Sequence, residues 1–383
     1  MKKVKLGEVC EIVTGSTPKS TNPDYWNGEY KWITPAEISD DDFIIVDTQR
    51  KISKLGIEKT GLKSFPIGTV LLSSRAPIGK VAIAGCEMYC NQGFKNFICS
   101  NEINNEYLYY FLKSRKNFLN NIGRGATFKE ISKSIISNIE FILPSYDVQC
   151  TQTQNLKKID NLIYLRKKVI KEYHILVKSR FNEMFGDIFD TTFPIYRLEE
   201  LCEFIKDGTH QTPQYTDDRT NGFKFLSSKD VTSGKISWDN IKYITESLHN
   251  ELYAKISPRR NDILLAKNGT TGIAALVDCD EIFDIYVSLA ILRFYDGNNP
   301  TYLLYAINSD TTKWQFESNL KGVGVPNLHL REIRKTKIPL PPLSLQNEFA
   351  EFVAQVDKSQ LAIQKSLEEL ETLKKSLMQE YFG

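Results

Sequence analysis

The sequence of 383 residues has no long apolar run, and we expect no secretory leader. No stretch reaches the roughly 18 apolar residues that cross a bilayer, and the lysine-containing start lacks the apolar segment of a signal peptide. Its seven cysteines, an odd number, form no C-x-x-C pair of the kind that binds zinc. We therefore expect a cytoplasmic protein with reduced thiols, no membrane partner and no bound metal.

The sequence is also poor in net charge and in catalytic motifs. A formal net charge of +2 does not by itself indicate a nucleic-acid-binding protein. Gly79-Lys80 is not a phosphate-binding P-loop, because Ser74 stands where that motif needs glycine. Asn22-Pro23-Asp24-Tyr25 resembles the N-P-P-Y loop of amino-methyltransferases, but no glycine-rich cofactor loop precedes it. No catalytic residue is predicted, and one acidic stretch is interpreted as a surface turn rather than a magnesium site: Asp278, Asp280, Glu281 and Asp284.

What the sequence does contain is a duplication. A hydrophobic content of 41% supports a folded core, and the length accommodates two domains of roughly 150 residues. KLGEVCEI at 5–12 recurs as RLEELCEF at 197–204, and KSRFNEMFG at 178–186 recurs as KSLMQEYFG at 375–383. Because the order of the matches is preserved, each half is expected to repeat one structural plan.

The closing segment of each half predicts a long helix. Residues 145–186 and 343–383 contain no proline and no internal glycine. A helix of this length extends about 60 Å and needs a partner to bury its apolar stripe. The stripe has the seven-residue spacing typical of coiled coils. The predicted pairing residues are Leu156, Ile163, Ile170, Val177, Phe349, Val356, Ile363, Leu370 and Leu377.

Further apolar residues flank this stripe. Leu345, Phe352 and Leu373 are expected beside it in the seam of the second helix. Leu162 and Leu176 widen the apolar face of the first helix and indicate additional partners. The sequence thus predicts an α+β chain with two mixed α/β domains, residues 1–144 and 187–342. The two helices between and after them are expected to form an antiparallel coiled coil and to give the molecule pseudo-twofold symmetry.

Polar loop residues are the candidate binding groups. Reading duplex DNA needs cations or hydroxyls for phosphates and donors or acceptors for base edges. The first domain offers such groups in three glycine-bearing segments: Ser16, Thr17 and Lys19; Arg75 and Lys80; Arg124 and Lys129. The second offers His210 and Gln211; Lys267, Asn268 and Thr270 in a stretch that resembles a phosphate-holding loop; and Asn327, His329 and Arg331. Ordinary surface turns, and a structural role for His210, remain the alternatives.

Motifs in both halves resemble one family. The chain is similar over essentially its whole length to the specificity subunits of type I restriction-modification systems. The segments that carry the resemblance are LSSRAPIGKVAI at 72–83, GRGATFKEISKSIISNIEFILP at 123–144, FNEMFGD at 181–187, KDGTHQTP at 206–213, KNGTTG at 267–272 and VGVPNLHLREIRKTKIPLPPLSLQ at 323–346.

The resemblance implies a non-catalytic subunit that recognises double-stranded DNA. Each target-recognition domain would read one half of a bipartite, non-palindromic site, and the helices would set the spacing and dock two methyltransferase subunits. Restriction/translocase subunits would join this complex, and S-adenosylmethionine, ATP and Mg would be bound by the partners. Two alternatives stay open: a partner in which methyltransferase and nuclease are fused, and a coiled-coil adaptor that binds only protein.

Overall fold

Short apolar strands and capped helices follow the same order in both halves of the chain. The computed structural model describes residues 2–123, 129–186, 188–318, 320 and 327–383. The chain forms two compact units: unit 1 consists of residues 1–167 and 365–383, and unit 2 consists of residues 168–364. Within the described ranges, none of the helices combines the length and apolarity that a membrane span requires.

Unit 1 is built from three sheets with helices beside them. Its elements are β1 (Lys2–Lys5), α1 (Leu6–Val9), β2 (Cys10–Val13), β3 (Trp26–Ile33), β4 (Ile44–Ile45), β5 (Arg50–Ile52), α2 (Lys54–Thr60), β6 (Val70–Leu72), β7 (Val81–Ala84), β8 (Tyr89–Cys90), β9 (Asn96–Cys99), α3 (Asn105–Ser114), α4 (Lys116–Ile122), α5 (Lys133–Ser137), β10 (Glu140–Leu143) and the first part of α6 (Tyr146–Phe185). The strand orders are β2-β9-β6-β7-β4, β5-β3-β8 and β1-β10.

Strands β6 and β7 of the five-stranded sheet in unit 1 are buried on both faces. Every residue of β6 and β7 is buried, as expected for short continuous apolar strands. One face packs on α3, whose residues 107–112 are all buried. Burial of aromatic and aliphatic side chains of this size is worth about 1.5–3 kcal/mol each, so this layer supplies much of the stability of the unit.

Unit 2 repeats this plan with two four-stranded sheets. Its elements are β11 (Ile195–Arg197), α7 (Leu198–Leu201), β12 (Cys202–Asp207), β13 (Tyr215–Thr216), β14 (Phe223–Leu226), β15 (Lys242–Ile244), α8 (Glu246–Tyr253), β16 (Ile263–Ala266), β17 (Ala274–Leu276), β18 (Phe283–Ile285), β19 (Leu289–Phe294), α9 (Pro300–Ile307), α10 (Asp310–Ser318), α11 (Leu330–Lys335), β20 (Lys337–Pro339) and the first part of α12 (Leu343–Phe382). The orders are β12-β19-β16-β17, β13-β15-β14-β18 and β11-β20. Unit 2 also contains residues 168–185 of α6, and unit 1 also contains residues 365–382 of α12.

The duplication extends to the helix caps. Asn104 accepts hydrogen bonds from the first backbone N–H groups of α3, and Asn299 does the same at the start of α9. The backbone N–H of each cap residue in turn donates to a glutamine at the start of a long helix, Gln149 in unit 1 at 2.9 Å and Gln346 in unit 2 at 2.8 Å. The prediction of a mixed α/β chain with two repeated domains and long helices is confirmed.

The two long helices pair within each unit. In unit 1 the Lys374 ammonium lies 2.5 Å from Asp160, and Lys167 lies 3.2 Å from Glu371, so residue numbers rise along one helix as they fall along the other. In unit 2, Arg180 pairs with Glu348 at 3.2 Å, and Phe349 packs among aromatic rings. The proposed pairing residues divide into buried Leu156, Ile163, Val177, Phe349 and Val356, and partly buried Ile170, Ile363, Leu370 and Leu377.

Leu373 was wrongly expected in the seam. Its side chain is 48% exposed, whereas Leu367 is 6% exposed. The fully buried neighbours follow the heptad residues by four, as in the pairs Phe349–Val353 and Ile363–Leu367. Leu345 and Phe352, at the same predicted seam position as Leu373, are partly buried against the core of unit 2. Steps of three and four lie on opposite sides of the stripe, and the heptad spacing alone does not decide which side faces the partner.

Candidate nucleic-acid interface

In unit 1 a glycine turn follows β2 and presents polar side chains. A Cβ added at Gly15 would lie 1.8 Å from the carbonyl oxygen of Cys90. Only glycine allows this approach, and the Ser16 N–H donates to the same oxygen at 3.1 Å. Thr17 and Lys19 are exposed beyond this anchor. The turn therefore holds three of the predicted residues at the surface on a fixed backbone.

The corresponding turn of unit 2 is built in the same way. A Cβ at Gly208 would lie 2.1 Å from the carbonyl oxygen of Ile285. Thr209 N–H donates to that oxygen at 3.1 Å. His210 and Gln211 follow and are exposed. The two units thus share the backbone structure of this glycine turn but carry different side chains on it.

A second loop connects β6 to β7 in unit 1, and a corresponding loop connects β16 to β17 in unit 2. Gly79 has φ of 89° and donates its N–H to Ser73 at 3.0 Å. Gly272 has φ of 78° and donates to Ala266 at 2.8 Å. Positive φ favours glycine at both turns. The loops are therefore equivalent in backbone, and their residues can be compared position by position.

In unit 1 this loop carries an ion-pair cluster. Ile131 N–H donates to Ser74 at 2.9 Å, which brings Arg75 opposite Glu130. Arg75 Nε lies 2.9 Å from one carboxylate oxygen of Glu130, and Lys95 Nζ lies 3.3 Å from the other. Partial burial opposes ionisation of Glu130, but the hydrogen bond from Arg75 and the charge of Lys95 outweigh it and hold its pKa below the ordinary value. Arg75, 44% exposed at its side chain, is thus held in place at the surface.

In unit 2 the equivalent positions carry amides. Leu328 N–H donates to Lys267 at 2.8 Å, which brings Asn268 opposite Asn327. The Oδ1 atoms of both asparagines are buried and have no hydrogen-bond partner among the residues that the structure describes. A buried acceptor without a partner is costly, so these two atoms are candidates to bind a ligand.

Lys267 lies beneath the loop rather than on it. It is 6% exposed, and its ammonium is 2.6 Å from Asp207 Oδ2. His210 Nε2 lies 3.3 Å from the same oxygen. Burial opposes ionisation of Asp207, but Lys267 and His210 outweigh it and hold its pKa below the ordinary value. The expected phosphate-holding role therefore does not fit the position of Lys267, whose charge is neutralised by Asp207.

These segments of unit 2 line one open groove. Asp207, Val287 and Leu330 form part of its wall. Gln211 lines a neighbouring pocket, and Thr270 is exposed in the turn of the second loop. Six of the eight residues predicted for this half are brought together in the groove: His210, Lys267, Asn268, Asn327, His329 and Arg331.

The remaining candidates of unit 1 have mixed surroundings. Lys80 is half-buried, and its ammonium donates to the carbonyl of Pro35 at 3.1 Å. Lys129 is exposed. Arg124 lies outside the described residues. The Lys80 cation, like those of Arg75 and Lys267, therefore already has a partner within the protein.

Sequence reasoning missed the charged residues that hold these loops. Lys95, Glu130 and Asp207 were not singled out, although Glu130 pairs with both Arg75 and Lys95, and Asp207 pairs with Lys267. The available signal was a charge inside an apolar strand sequence, as at Lys95 in FKNF. Charged residues are seldom buried unless they are paired, so such a position predicts an internal ion pair.

The acidic stretch of unit 2 is not one surface turn. Asp278, Asp280 and Glu281 are exposed, but Asp284 lies in β18 and is 2% exposed. Its Oδ2 lies 2.7 Å from His249 Nδ1. In the part of the chain that the structure describes, no group of three or more His, Cys, Asp or Glu side chains could hold a metal ion.

Comparison with known proteins identifies a family. A model described as "Type I restriction modification DNA specificity domain" matches residues 1–178 and again residues 190–373. The MjaIX specificity subunit of Methanocaldococcus jannaschii is 27% identical over 395 residues, covering 98% of this chain and 90% of the relative. The EcoBI specificity subunit of Escherichia coli is 22% identical over 238 residues, covering 60% of this chain and 47% of the relative.

Solved structures share the fold. The S subunit of a type I restriction-modification system from M. genitalium superposes with a TM-score of 0.57 at 16% identity, covering 100% of this chain and 96% of the other. A chain from a study of complex assembly and conformational transition of the type I R-M system gives 0.64 at 19% identity, covering 100% and 97%. At these identities the likeness concerns the fold alone.

Proposed function

Since the chain belongs to the family of type I restriction-modification DNA specificity subunits, we propose that it reads a bipartite, non-palindromic DNA site and leaves catalysis to partner subunits. Residues 1–144 and 187–342 are the two target-recognition domains, and residues 145–186 and 343–383 are the spacer helices. Each recognition domain reads one half-site. The partners that the proposal requires are duplex DNA, two methyltransferase subunits and restriction/translocase subunits.

The observation that carries the proposal is the duplicated loop framework with different side chains. The backbone hydrogen bonds that hold the glycine turn and the second loop recur in both units. The bond from Ser16 N–H to the Cys90 carbonyl in unit 1, for example, corresponds to the bond from Thr209 N–H to the Ile285 carbonyl in unit 2. A shared framework presents both loop sets at similar positions. Different side chains on it lead to different half-sites, so the complete target lacks palindromic symmetry.

Unit 1 offers mainly cations and hydroxyls to DNA. Arg75 is held by Glu130 with part of its guanidinium side chain exposed, which suits a bidentate contact with guanine or a phosphate. Lys19 and Lys129 are exposed and suit phosphate contacts, whereas the exposed Thr17 already donates its hydroxyl proton to Gln92 Oε1 at 2.5 Å. Unit 1 is therefore assigned a contact set centred on Arg75.

Unit 2 offers amides and imidazoles. Asn268 and Asn327 carry acceptors without partners, and asparagine is the side chain that pairs bidentately with adenine. His210, His329 and Arg331 surround them in the groove. Unit 2 is therefore assigned a contact set centred on the two asparagines.

Exposed apolar residues on the long helices provide docking surfaces for partners. In unit 1, Leu162 is 40% exposed and Tyr164 63% exposed on the first helix. In unit 2, Ile175 is 57% exposed, Leu176 47% and Leu361 71%. Aromatic and aliphatic residues that are exposed on a helix already paired through another face are typical of a further protein contact.

Adenine methylation in the reconstituted complex tests the proposal. The chain is expressed with its methyltransferase partner, and methylated adenines are mapped across a genome that lacks other methylation. We expect one split motif with two unlike halves. Deleting one heptad from α6 and one from α12 is expected to change the gap between the halves while keeping both of them. Methylation without a sequence motif, or an unchanged gap, would contradict the proposal.

A further inference from the structure

A pocket in unit 2 lies beside the groove and has no role in the contacts assigned so far. It measures about 310 Å³, at the lower end of the roughly 300–1,000 Å³ typical of small-molecule sites. Asp207 and His210 belong to both the pocket and the groove. A ligand held in the groove can therefore place a small group in this pocket.

The pocket has apolar walls and a carboxylate among its lining groups. Leu252, Ile256 and Ile285 form the apolar part of the lining. Asp284 is 2% exposed, and its Oδ1 has no hydrogen-bond partner among the described residues. The other oxygen is bound to His249, so one acceptor is left for a ligand.

His249 fixes the direction of that carboxylate. Its Nδ1 lies 2.7 Å from Asp284 Oδ2, and its ring stacks on Phe223 with centroids 3.7 Å apart and planes 6° apart. Burial raises the pKa of Asp284, and the hydrogen bond to His249 counters part of this rise. While Asp284 is ionised and paired with His249, its Oδ1 only accepts hydrogen bonds, so a ligand that contacts this oxygen brings an N–H or O–H donor.

The rim of the pocket consists of residues anchored to the protein. The turn at Thr209 is tied to β18 by two backbone hydrogen bonds, from Thr209 N–H to Ile285 at 3.1 Å and from Val287 N–H to Thr209 at 3.0 Å. Gln211 N–H donates to the Thr209 hydroxyl at 3.1 Å. The Gln211 side chain therefore stands on a braced turn, where its amide is available beside the carboxylate.

We propose that this pocket binds a single nucleobase that has left the DNA stack and bears an exocyclic amino group, cytosine or adenine. A flat heterocycle matches the apolar walls. Its amino group donates to Asp284 Oδ1, and the adjacent ring nitrogen accepts from the rim, where Gln211 offers amide donors. Taking a base out of the stack costs a few kcal/mol and exposes the edge that the pocket recognises.

The equivalent position in unit 1 lacks this chemistry. Strand pairing aligns Trp32 with Tyr89 in unit 1 and Phe225 with Asp284 in unit 2. Tyr89 packs edge-on against Tyr30 with centroids 6.1 Å apart. The inference therefore concerns one half-site only, and it rests on the proposed function.

Binding of four nucleosides to the full-length chain tests the pocket directly. Saturation-transfer NMR compares cytidine with uridine and adenosine with inosine, pairs that differ in the amino group. We expect the amino-bearing member to bind at least about tenfold more tightly, because in the same pose its counterpart turns a carbonyl oxygen toward the buried acceptor of Asp284. Binding of short oligo(dC) and oligo(dT) strands is compared in the same way, which shows whether the pocket accepts a base within a DNA strand as well as a free nucleoside. Equal binding within each pair, or no binding in either format, would overturn the inference.

Asp284→Asn gives the sharper result. Its oxygen still accepts from His249, so its NH₂ faces the pocket, and the preference is expected to reverse toward uridine and inosine. Asp280→Asn is the matched control, because it changes an exposed acid of the same stretch outside the pocket. Ile256→Trp fills the pocket and keeps the carboxylate, and it is expected to abolish binding. Should the Asp284 variant fail to fold by circular dichroism, binding that survives in the tryptophan variant would still overturn the inference.

The reconstituted complex separates the two proposals. With Asp284→Asn, one base position in one half-site is expected to change, while the other half-site and the gap stay the same. An unchanged motif would overturn the pocket and leave the proposed function intact. Failure of the unmodified chain to direct any sequence-specific methylation would overturn the proposed function itself.

Discussion

Units 1 and 2 share a loop backbone and differ in what it carries. Unit 1 places an Arg75–Glu130 ion pair where unit 2 places Asn268 and Asn327. Backbone hydrogen bonds do not depend on these side chains, so the framework was kept while its surface diverged. Substitutions in the shared backbone framework are thus expected to lower stability equally in the two units. Substitutions of the charged side chains are expected to lower it by different amounts.

The largest difference is expected at the buried lysines. Lys267→Met leaves Asp207 without its ammonium partner, and the expected loss is about 3 kcal/mol because the carboxylate is mostly buried. Lys95→Met in unit 1 is expected to lower the free energy of unfolding by about 1 kcal/mol, because Glu130 still pairs with Arg75 and is more accessible to solvent than Asp207. Urea unfolding measures both. Equal losses would contradict the difference between the units.

A double variant isolates the ion pair of unit 2. Lys267→Met with Asp207→Leu removes both charges and is expected to recover most of the lost stability, since an apolar pair of similar volume is often neutral. If the double variant is less stable than Lys267→Met, the lysine acts through packing and not through Asp207.

The glycine turns are expected to respond alike. Gly15→Ala and Gly208→Ala each drive a Cβ against a backbone carbonyl, with an expected cost of about 1–3 kcal/mol. Gly234→Ala is the control, because nothing lies within 4 Å of an added Cβ and only its positive φ is penalised. If either turn variant unfolds at the same temperature as the unmodified protein, the close approach of glycine to a backbone carbonyl is not shared by the two units.

The helix caps provide a smaller test of the duplication. Asn104→Ala and Asn299→Ala each remove a side chain that caps two N–H groups, and the expected cost is about 1 kcal/mol in each unit. Serine at either position is the control, because it retains a capping oxygen. Unequal losses of unfolding free energy, measured in urea, would show that the two units are equivalent in their sheets but not in their helix caps.

The outer helix surfaces are expected to affect partners but hardly stability. Tyr164→Ser in unit 1 and Leu361→Ser in unit 2 are expected to change the free energy of unfolding by no more than about 0.5 kcal/mol. Methyltransferase capture in a pull-down is expected to fall for both. Val356→Ser, at a buried position, is the comparison that loses stability. Full capture by both surface variants would contradict docking at these residues.

The fold was largely predictable because its signals are local. Proline-free stretches and heptad spacing indicated α6 and α12, and the paired motifs indicated the duplication. Whether the side of the stripe that carries Leu373 faces the partner helix depends on how the two helices pack. The local sequence does not determine that packing.

The site was predictable only by region. Glycine turns marked the loops correctly, but Asp207 and Asp284 lie at or in strands, and their partners are distant in sequence. Whether an acid in such a position is exposed or paired depends on contacts formed between strands. For this reason the sequence did not reveal that Lys267 is buried beside Asp207, which lies sixty residues before it.

Mapping methylation for two matched variants tests the central claim most directly. Arg75→Ala and Asn268→Ala alter equivalent loop positions, and each variant is reconstituted with the same methyltransferase partner. The expected result is that each relaxes or loses base preference in a different half of the split motif, with the gap unchanged. Changes in the same half, or two unchanged motifs, would contradict the claim that each unit reads its own half-site through this loop.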